Sequence, residues 1–214
     1  MHDLAALCSQ SGIDLIFVLD SSGSINDATP PGAPRSNYEL ILQFMANIVS
    51  EMEIGPLANR VGVVRFSDIG QLVIKLDDFE NSDSLNDAIM SIGYVGSNTN
   101  TSGGLSVMTS QGFSILNGDR PEFPNVAVVI TDGFSTTDNL TTVANAEFAH
   151  SLGIDVIAVG ITNNINITEL RLISSPPRLE GRNYFVSDDF NMLDEQVRPA
   201  LVDGTCNSPP PARQ

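Results

Sequence analysis

Asp20, Ser22 and Ser24 alternate in "DLIFVLDSSGSIND" (14–27), where the apolar run Leu15–Leu19 stops at a carboxylate. In an extended backbone every second side chain points the same way. One carboxylate and two hydroxyls then converge, all of them hard oxygen ligands of the kind Mg²⁺ and Mn²⁺ take. Gly23 lets the chain turn tightly around such an ion. A second carboxylate, Asp132, ends another apolar run in "NVAVVITD" (125–132), and Gly133 follows it. A third contribution is available from "GSNTNTSGG" (96–104), a loop of hydroxyls and amides that includes Thr99 and Thr101. Taken singly, each piece has a plainer reading. Asp-Ser-Ser-Gly-Ser suits a helix-entry turn or a phosphate loop, and Asp132-Gly133 suits an ordinary turn. Taken together, the pieces point to a divalent-cation site.

Catalytic readings fare worse. The sequence has no G-x-S-x-G, no H-E-x-x-H and no phosphate-loop lysine motif. An aspartyl-phosphate mechanism would start from a strand-end carboxylate such as Asp20, but the second acid expected two residues on is replaced by Ser22. His2 lies at a chain terminus and His150 at a helix end, neither of them beside the candidate ligands. The expectation is a binding module and not an enzyme.

Positioning these groups requires strands that end together. "IDLIFVLD" (13–20), "NVAVVITD" (125–132) and "IDVIAVGI" (154–161) are continuous apolar runs, as strands buried on both faces show. Each is followed by small polar residues, which suggests a parallel sheet between helical layers. "RVGVVRFSD" (60–68) and "GQLVIKLDD" (70–78) read as a hairpin that adds one antiparallel strand, and "RNYFVS" (182–187) as a short sixth strand. Helices are predicted over 36–53 with Ser36 as N-cap, and over 81–92, 101–116, 139–153, 167–175 and 188–202. Phe44, Met45, Met108 and Phe148 are expected in the core. The last helix is expected to pack through Phe190, Leu193, Val197 and Leu201. The fold class is therefore α/β: a doubly wound, Rossmann-like open sheet of about six mostly parallel strands, with one antiparallel edge strand and helices on both faces. Ligands of such sheets bind beyond the carboxyl ends of the strands, at the point where strand order reverses.

Composition narrows the partners. The 214 residues carry a formal net charge of −16 with 42% hydrophobic residues, enough for a sizeable core. That charge disfavours nucleic acid and anionic membrane surfaces and is compatible with divalent cations. No apolar run approaches the roughly 18 residues that would span a bilayer.

The pattern D-x-S-x-S (Asp20, Ser22, Ser24), T-x-T in a Gly/Ser-rich loop (Thr99, Thr101) and T-D-G (Asp132) resembles the metal-ion-dependent adhesion site of von Willebrand factor type A domains. The inserted domains of integrins share it. The resemblance covers about residues 12–203, with the three pieces in family order. It implies a metal shell of Asp20, Ser22, Ser24, Thr99 and Asp132 holding Mg²⁺ or Mn²⁺, with Ca²⁺ also admissible. Thr99 corresponds to the ligating threonine and Thr101 to its neighbour. The segment "NDATPPGAPR" (26–35) departs from the pattern by lengthening the loop that borders the site. The resemblance further implies an extracellular adhesion module that binds a protein ligand, in the matrix or elsewhere, through an Asp or Glu offered to the metal. The alternative is a structural matrix module whose metal is not used for binding.

The remaining features suit a secreted or cell-surface protein. Cys8 and Cys206 lie in polar surroundings just outside the apolar segments. Domain termini tend to be neighbours, so a disulfide between them is expected, in an oxidising compartment. Sequons occur at Asn100, Asn139 and Asn166. Asn139 and Asn166 are the expected acceptors, because a glycan on Asn100 would crowd the metal loop. The domain is expected over 1–206. The segment after it, 207–214 ("NSPPPARQ"), reads as the start of a Pro-rich linker or tail.

Overall fold

Leu15–Leu19 form a strand because an uninterrupted apolar run finds cover on both faces. In the computed structural model, which describes residues 12–27, 29–133, 135, 139–162 and 165–201, every residue of β1 (Asp14–Asp20) is buried. The chain continues through α1 (Gly23–Asp27), α2 (Asn37–Ser50), β2 (Arg60–Phe66), β3 (Gly70–Ile74), α3 (Ser82–Met90) and α4 (Thr101–Val107). It then forms β4 (Asn125–Thr131), α5 (Asn139–Ser151), β5 (Asp155–Ile161), α6 (Ile167–Ile173) and β6 (Tyr184–Ser187), and ends in helical turns over 190–201.

The six strands make one sheet in the order β3-β2-β1-β4-β5-β6. Five are parallel, and β3 pairs antiparallel with β2 at the edge. The doubly wound α/β fold, with its single antiparallel edge strand, is as the sequence predicts. From β1 the chain first builds outward through β2 and β3, then returns to lay β4 on the other side of β1. The reversal therefore falls between β1 and β4, whose carboxyl ends carry Asp20 and Asp132.

Alternation along the strands divides the core. Leu15, Phe17 and Leu19 face the layer of α2, α3 and the C-terminal turns, packing with Phe44, Met45, Leu85 and Leu193. Ile16 and Val18 face the layer of α4, α5 and α6, packing with Phe66, Leu105, Ala146 and Leu170. Ser36 caps α2 as expected. Its hydroxyl accepts the Glu39 amide, while the Glu39 carboxylate accepts the Ser36 amide, a reciprocal arrangement worth about 1 kcal/mol. Gly104 lets α4 lie against the sheet. A Cβ there would come within 2.8 Å of the Phe66 ring and 3.1 Å of Val18.

Four details differ from the sequence reading. The extended backbone does not reach Ser24: α1 begins at Gly23, so the segment 26–35 starts in a helix. The helix predicted over 101–116 is α only to Val107, after which a π turn (Met108–Gly112) and a 3₁₀ turn (Ile115–Asn117) complete the connection. The last helix is broken into a 3₁₀ turn (Phe190–Met192), a π turn (Leu193–Val197) and an α turn over 198–201. Its apolar side is nevertheless the expected one, with Phe190, Leu193, Val197 and Leu201 all buried. Phe148 is not core but 57% exposed, because α5 turns that face to solvent. Cys8, Cys206 and the tail 207–214 lie outside the described residues.

Candidate metal centre

Asp20 leaves the end of β1 with its side chain fully buried. One carboxylate oxygen accepts the Ser22 amide at 2.8 Å, and the other accepts the Thr131 hydroxyl at 2.7 Å. Ser22 forms an isolated bridge with Ser97, which holds the first loop against the loop bearing Thr99. Ser24 lies in the first turn of α1 and donates its hydroxyl to Asp132 Oδ1 at 2.7 Å, with the Ser22 hydroxyl 3.2 Å away. Asp20, Ser22, Ser24 and Asp132 thus gather at the switch point. The convergence of Ser22 and Ser24 does not come from strand alternation as the sequence suggested. It comes from the turn into α1, which folds Ser24 back toward Asp132.

The loop that bears Thr99 is held against the D-x-S-x-S loop. The Gly23 amide donates to the Ser97 carbonyl at 2.7 Å and the Asn100 amide to the Ser67 carbonyl at 2.9 Å. The Ser67 hydroxyl donates to the Asn98 carbonyl at 2.9 Å. Thr99 and Thr101 are 5% and 1% exposed. Asn100 between them is the N-cap of α4: its side-chain oxygen accepts the Gly103 amide and its side-chain nitrogen donates to the Asp68 carbonyl.

Several supporting residues carried no recognisable signal in the sequence. The Tyr94 hydroxyl donates to the Ser22 and Gly23 carbonyls at 2.9 and 3.1 Å, and the Tyr94 ring packs 5.2 Å from that of Tyr38. The Ser21 hydroxyl accepts the Val95 amide. Thr131, the residue immediately before Asp132 in "ITDG", does carry a signal, since a hydroxyl at a strand end sits among the same loops.

Electrostatics mark the two acids. Burial pushes the Asp20 carboxyl up to about 6, against the pull of its Ser22 and Thr131 hydrogen bonds, and the nearby Asp132 adds to the rise. Burial raises Asp132 as well, partly offset by Ser24. Two carboxylates with little water are costly without compensating positive charge. No cluster of three or more His, Cys, Asp or Glu suited to a metal occurs among the described residues. The donor set here is instead two carboxylates with hydroxyls, which fits a hard divalent ion that keeps some water.

A family model for the von Willebrand factor type A domain matches residues 14–199. The chain belongs to that family. As a type A domain it is 33% identical over 205 residues to the transmembrane cell adhesion receptor mua-3 of Caenorhabditis elegans, covering 94% of this chain and 5% of the receptor. It is 34% identical over 185 residues to matrilin-1 of Gallus gallus, covering 86% of this chain and 35% of matrilin-1. The type A domain therefore spans a minor part of these relatives. Among solved structures, proximal thread matrix protein 1 from the mussel byssus, with a zinc-occupied adhesion motif, superposes with a TM-score of 0.78 at 24% identity. That match covers 93% of this chain and 47% of the mussel protein. Manganese-loaded TRAP of Plasmodium vivax gives 0.69 at 16% identity, covering 89% of this chain and 74% of TRAP. These two likenesses speak for the fold. No helix among the described residues is long and apolar enough to cross a membrane.

Proposed function

We propose that this type A domain is an adhesion module that binds a protein ligand through a divalent cation held by Asp20, Ser22, Ser24, Thr99 and Asp132. The domain is extracellular or cell-surface, in keeping with its matrix and adhesion-receptor relatives. The observation that carries the metal reading is the Ser24–Asp132 hydrogen bond, which joins the D-x-S-x-S loop to the second carboxylate across 108 residues of sequence. A bound Mg²⁺ or Mn²⁺ supplies positive charge and exchangeable positions that accept a carboxylate from outside.

The chain's own residues prepare that exchange. Asp20 and Asp132 contribute two negative charges that balance a divalent ion, while the hydroxyls and waters around it are neutral, so what the site offers a ligand is an exchangeable water position on the ion. A Glu or Asp of the partner takes that position in place of water, even though the domain as a whole carries −16. Tyr94 and Ser21 fix the loop backbone, which keeps the donors in place before a ligand arrives. Similarity to matrilin-1 and to the mua-3 receptor, of which the domain covers 35% and 5%, supports a matrix partner and a place for this module within a larger protein. The alternative, a structural matrix module whose metal is not used for binding, differs in that chelator leaves partner retention unchanged.

Titration of Mn²⁺ into chelator-stripped domain tests the metal, and retention of matrix proteins on immobilised domain in Mg²⁺ tests the ligand. Saturable Mn²⁺ binding, and retention reversed by chelator, are expected in the wild type and absent in Asp132→Ala. Retention that survives both chelator and the substitution would sink the reading.

A further inference from the structure

Glu169, in the first turn of α6, is 6% exposed and belongs to neither the core nor the candidate ligand set. Its Oε1 accepts the backbone amide of Ser135, three residues past Asp132, at 3.1 Å. Its Oε2 is buried and has no hydrogen-bond partner among the described residues. A buried carboxylate oxygen left unpaired is costly, so its retention calls for a partner.

The surroundings offer one. Glu169 lines a small cavity with Thr101, Thr131 and Gly133, closed on its apolar side by Leu170 and Ile173. Its free volume of about 10 Å³ is close to what one water molecule needs. Three of these neighbours lead to the candidate metal centre. Thr131 donates to Asp20, Gly133 follows Asp132, and Thr101 lies two residues from Thr99. Asn166 fixes the Glu169 backbone from the other side by accepting the Thr168 and Glu169 amides.

We propose that Glu169 is a positioning residue for the metal centre: Oε1 anchors the loop after Asp132, and Oε2 holds a water molecule shared with Thr101 and Thr131. The inference rests on the metal reading above. It makes affinity for the ion depend on a side chain of α6 that does not touch it. Outer groups of this kind are worth 10–100-fold in metal affinity.

The test compares wild type, Glu169→Gln and Glu169→Ala. Mn²⁺ affinity is measured by calorimetry well below each melting temperature, and exchange of the Ser135 amide is followed in chelator. Glu169→Ala is expected to weaken Mn²⁺ about tenfold or more and to speed Ser135 exchange. Glu169→Gln keeps an acceptor for the Ser135 amide and a group for the water, so it is expected within about threefold of wild type, on the scale of a hydrogen bond retained. Equal Mn²⁺ affinity in all three folded proteins would overturn the inference while leaving the metal reading intact, as would equal losses in both variants. Absence of Mn²⁺ binding in the wild type would overturn both.

Discussion

The Thr131 hydroxyl donates to Asp20 Oδ2 across 2.7 Å, so the two strands flanking the switch point are joined at a single carboxylate. The same hydroxyl lies 3.3 Å from the Gly133 amide, which donates to it. One side chain therefore ties the first candidate ligand to the loop that carries the second. Thr131→Val keeps the shape and removes the hydroxyl. It is expected to weaken Mn²⁺ binding by about 10–100-fold, as losses of such supporting contacts do, with the fold preserved. Calorimetric titration and circular dichroism of the variant check this, and unchanged affinity would show the contact to be incidental.

Asp20 also predicts how the metal-free domain responds to pH. Its carboxyl is raised from 3.8 to about 6 in the folded protein, so the folded state holds a proton that the unfolded chain releases at lower pH. The stability this gives is fully present below about 4 and is lost as pH climbs through about 6. Burial raises Asp132 in the same direction. Thermal melts in chelator are expected to fall over that window by the equivalent of roughly 3 kcal/mol from Asp20, and Asp20→Asn should flatten the slope. A melting temperature that rises between pH 4 and 6 in the wild type would contradict this.

Glycan occupancy separates the sequons. Asn100 uses both ends of its amide, accepting from Gly103 and donating to the Asp68 carbonyl, so a sugar on that nitrogen would remove a bond and unseat the cap of α4. Asn166 is exposed, and it caps α6 through its oxygen alone in the contacts it makes with Thr168 and Glu169. Glycopeptide mapping of protein secreted from animal cells should find Asn166 modified and Asn100 bare. Full occupancy at Asn100 in ligand-binding protein would reverse the assignment.

Cys8 and Cys206 flank the folded elements in sequence, and a bond between them is expected. A closed loop of nearly the whole chain would contribute roughly 5 kcal/mol in the chain-entropy account. Unreduced peptide mapping should find the linked pair, and two alkylatable thiols in oxidatively produced protein would exclude it.

Much of the fold is legible in the sequence. The three strands with continuous apolar runs declared themselves because burial on both faces leaves no alternation to misread, and Asp20 and Asp132 stood out as charges where such runs end. The short helix α1 did not, since Ser-Gly-Ser carries no helical periodicity and its five residues are held by tertiary contacts, among them the Gly23 amide to Ser97. Phe148 was misplaced because an aromatic on an amphipathic helix looks like core whichever face it takes. Tyr94 and Glu169 could not be found from spacing at all. Each works through backbone groups of a distant loop, and a backbone partner leaves no trace in residue identity.

The placement of β1 and β4 has a mechanical consequence. Both are interior strands, each bonded along two edges, and both point their carboxyl ends at the candidate centre. If the proposed ligand is held there, a pull directed along β1 and β4 loads them lengthwise. To pull either strand free, the load must shear two ladders at once and cannot open them rung by rung. The candidate centre is thus mounted on the part of the sheet best braced against being drawn out.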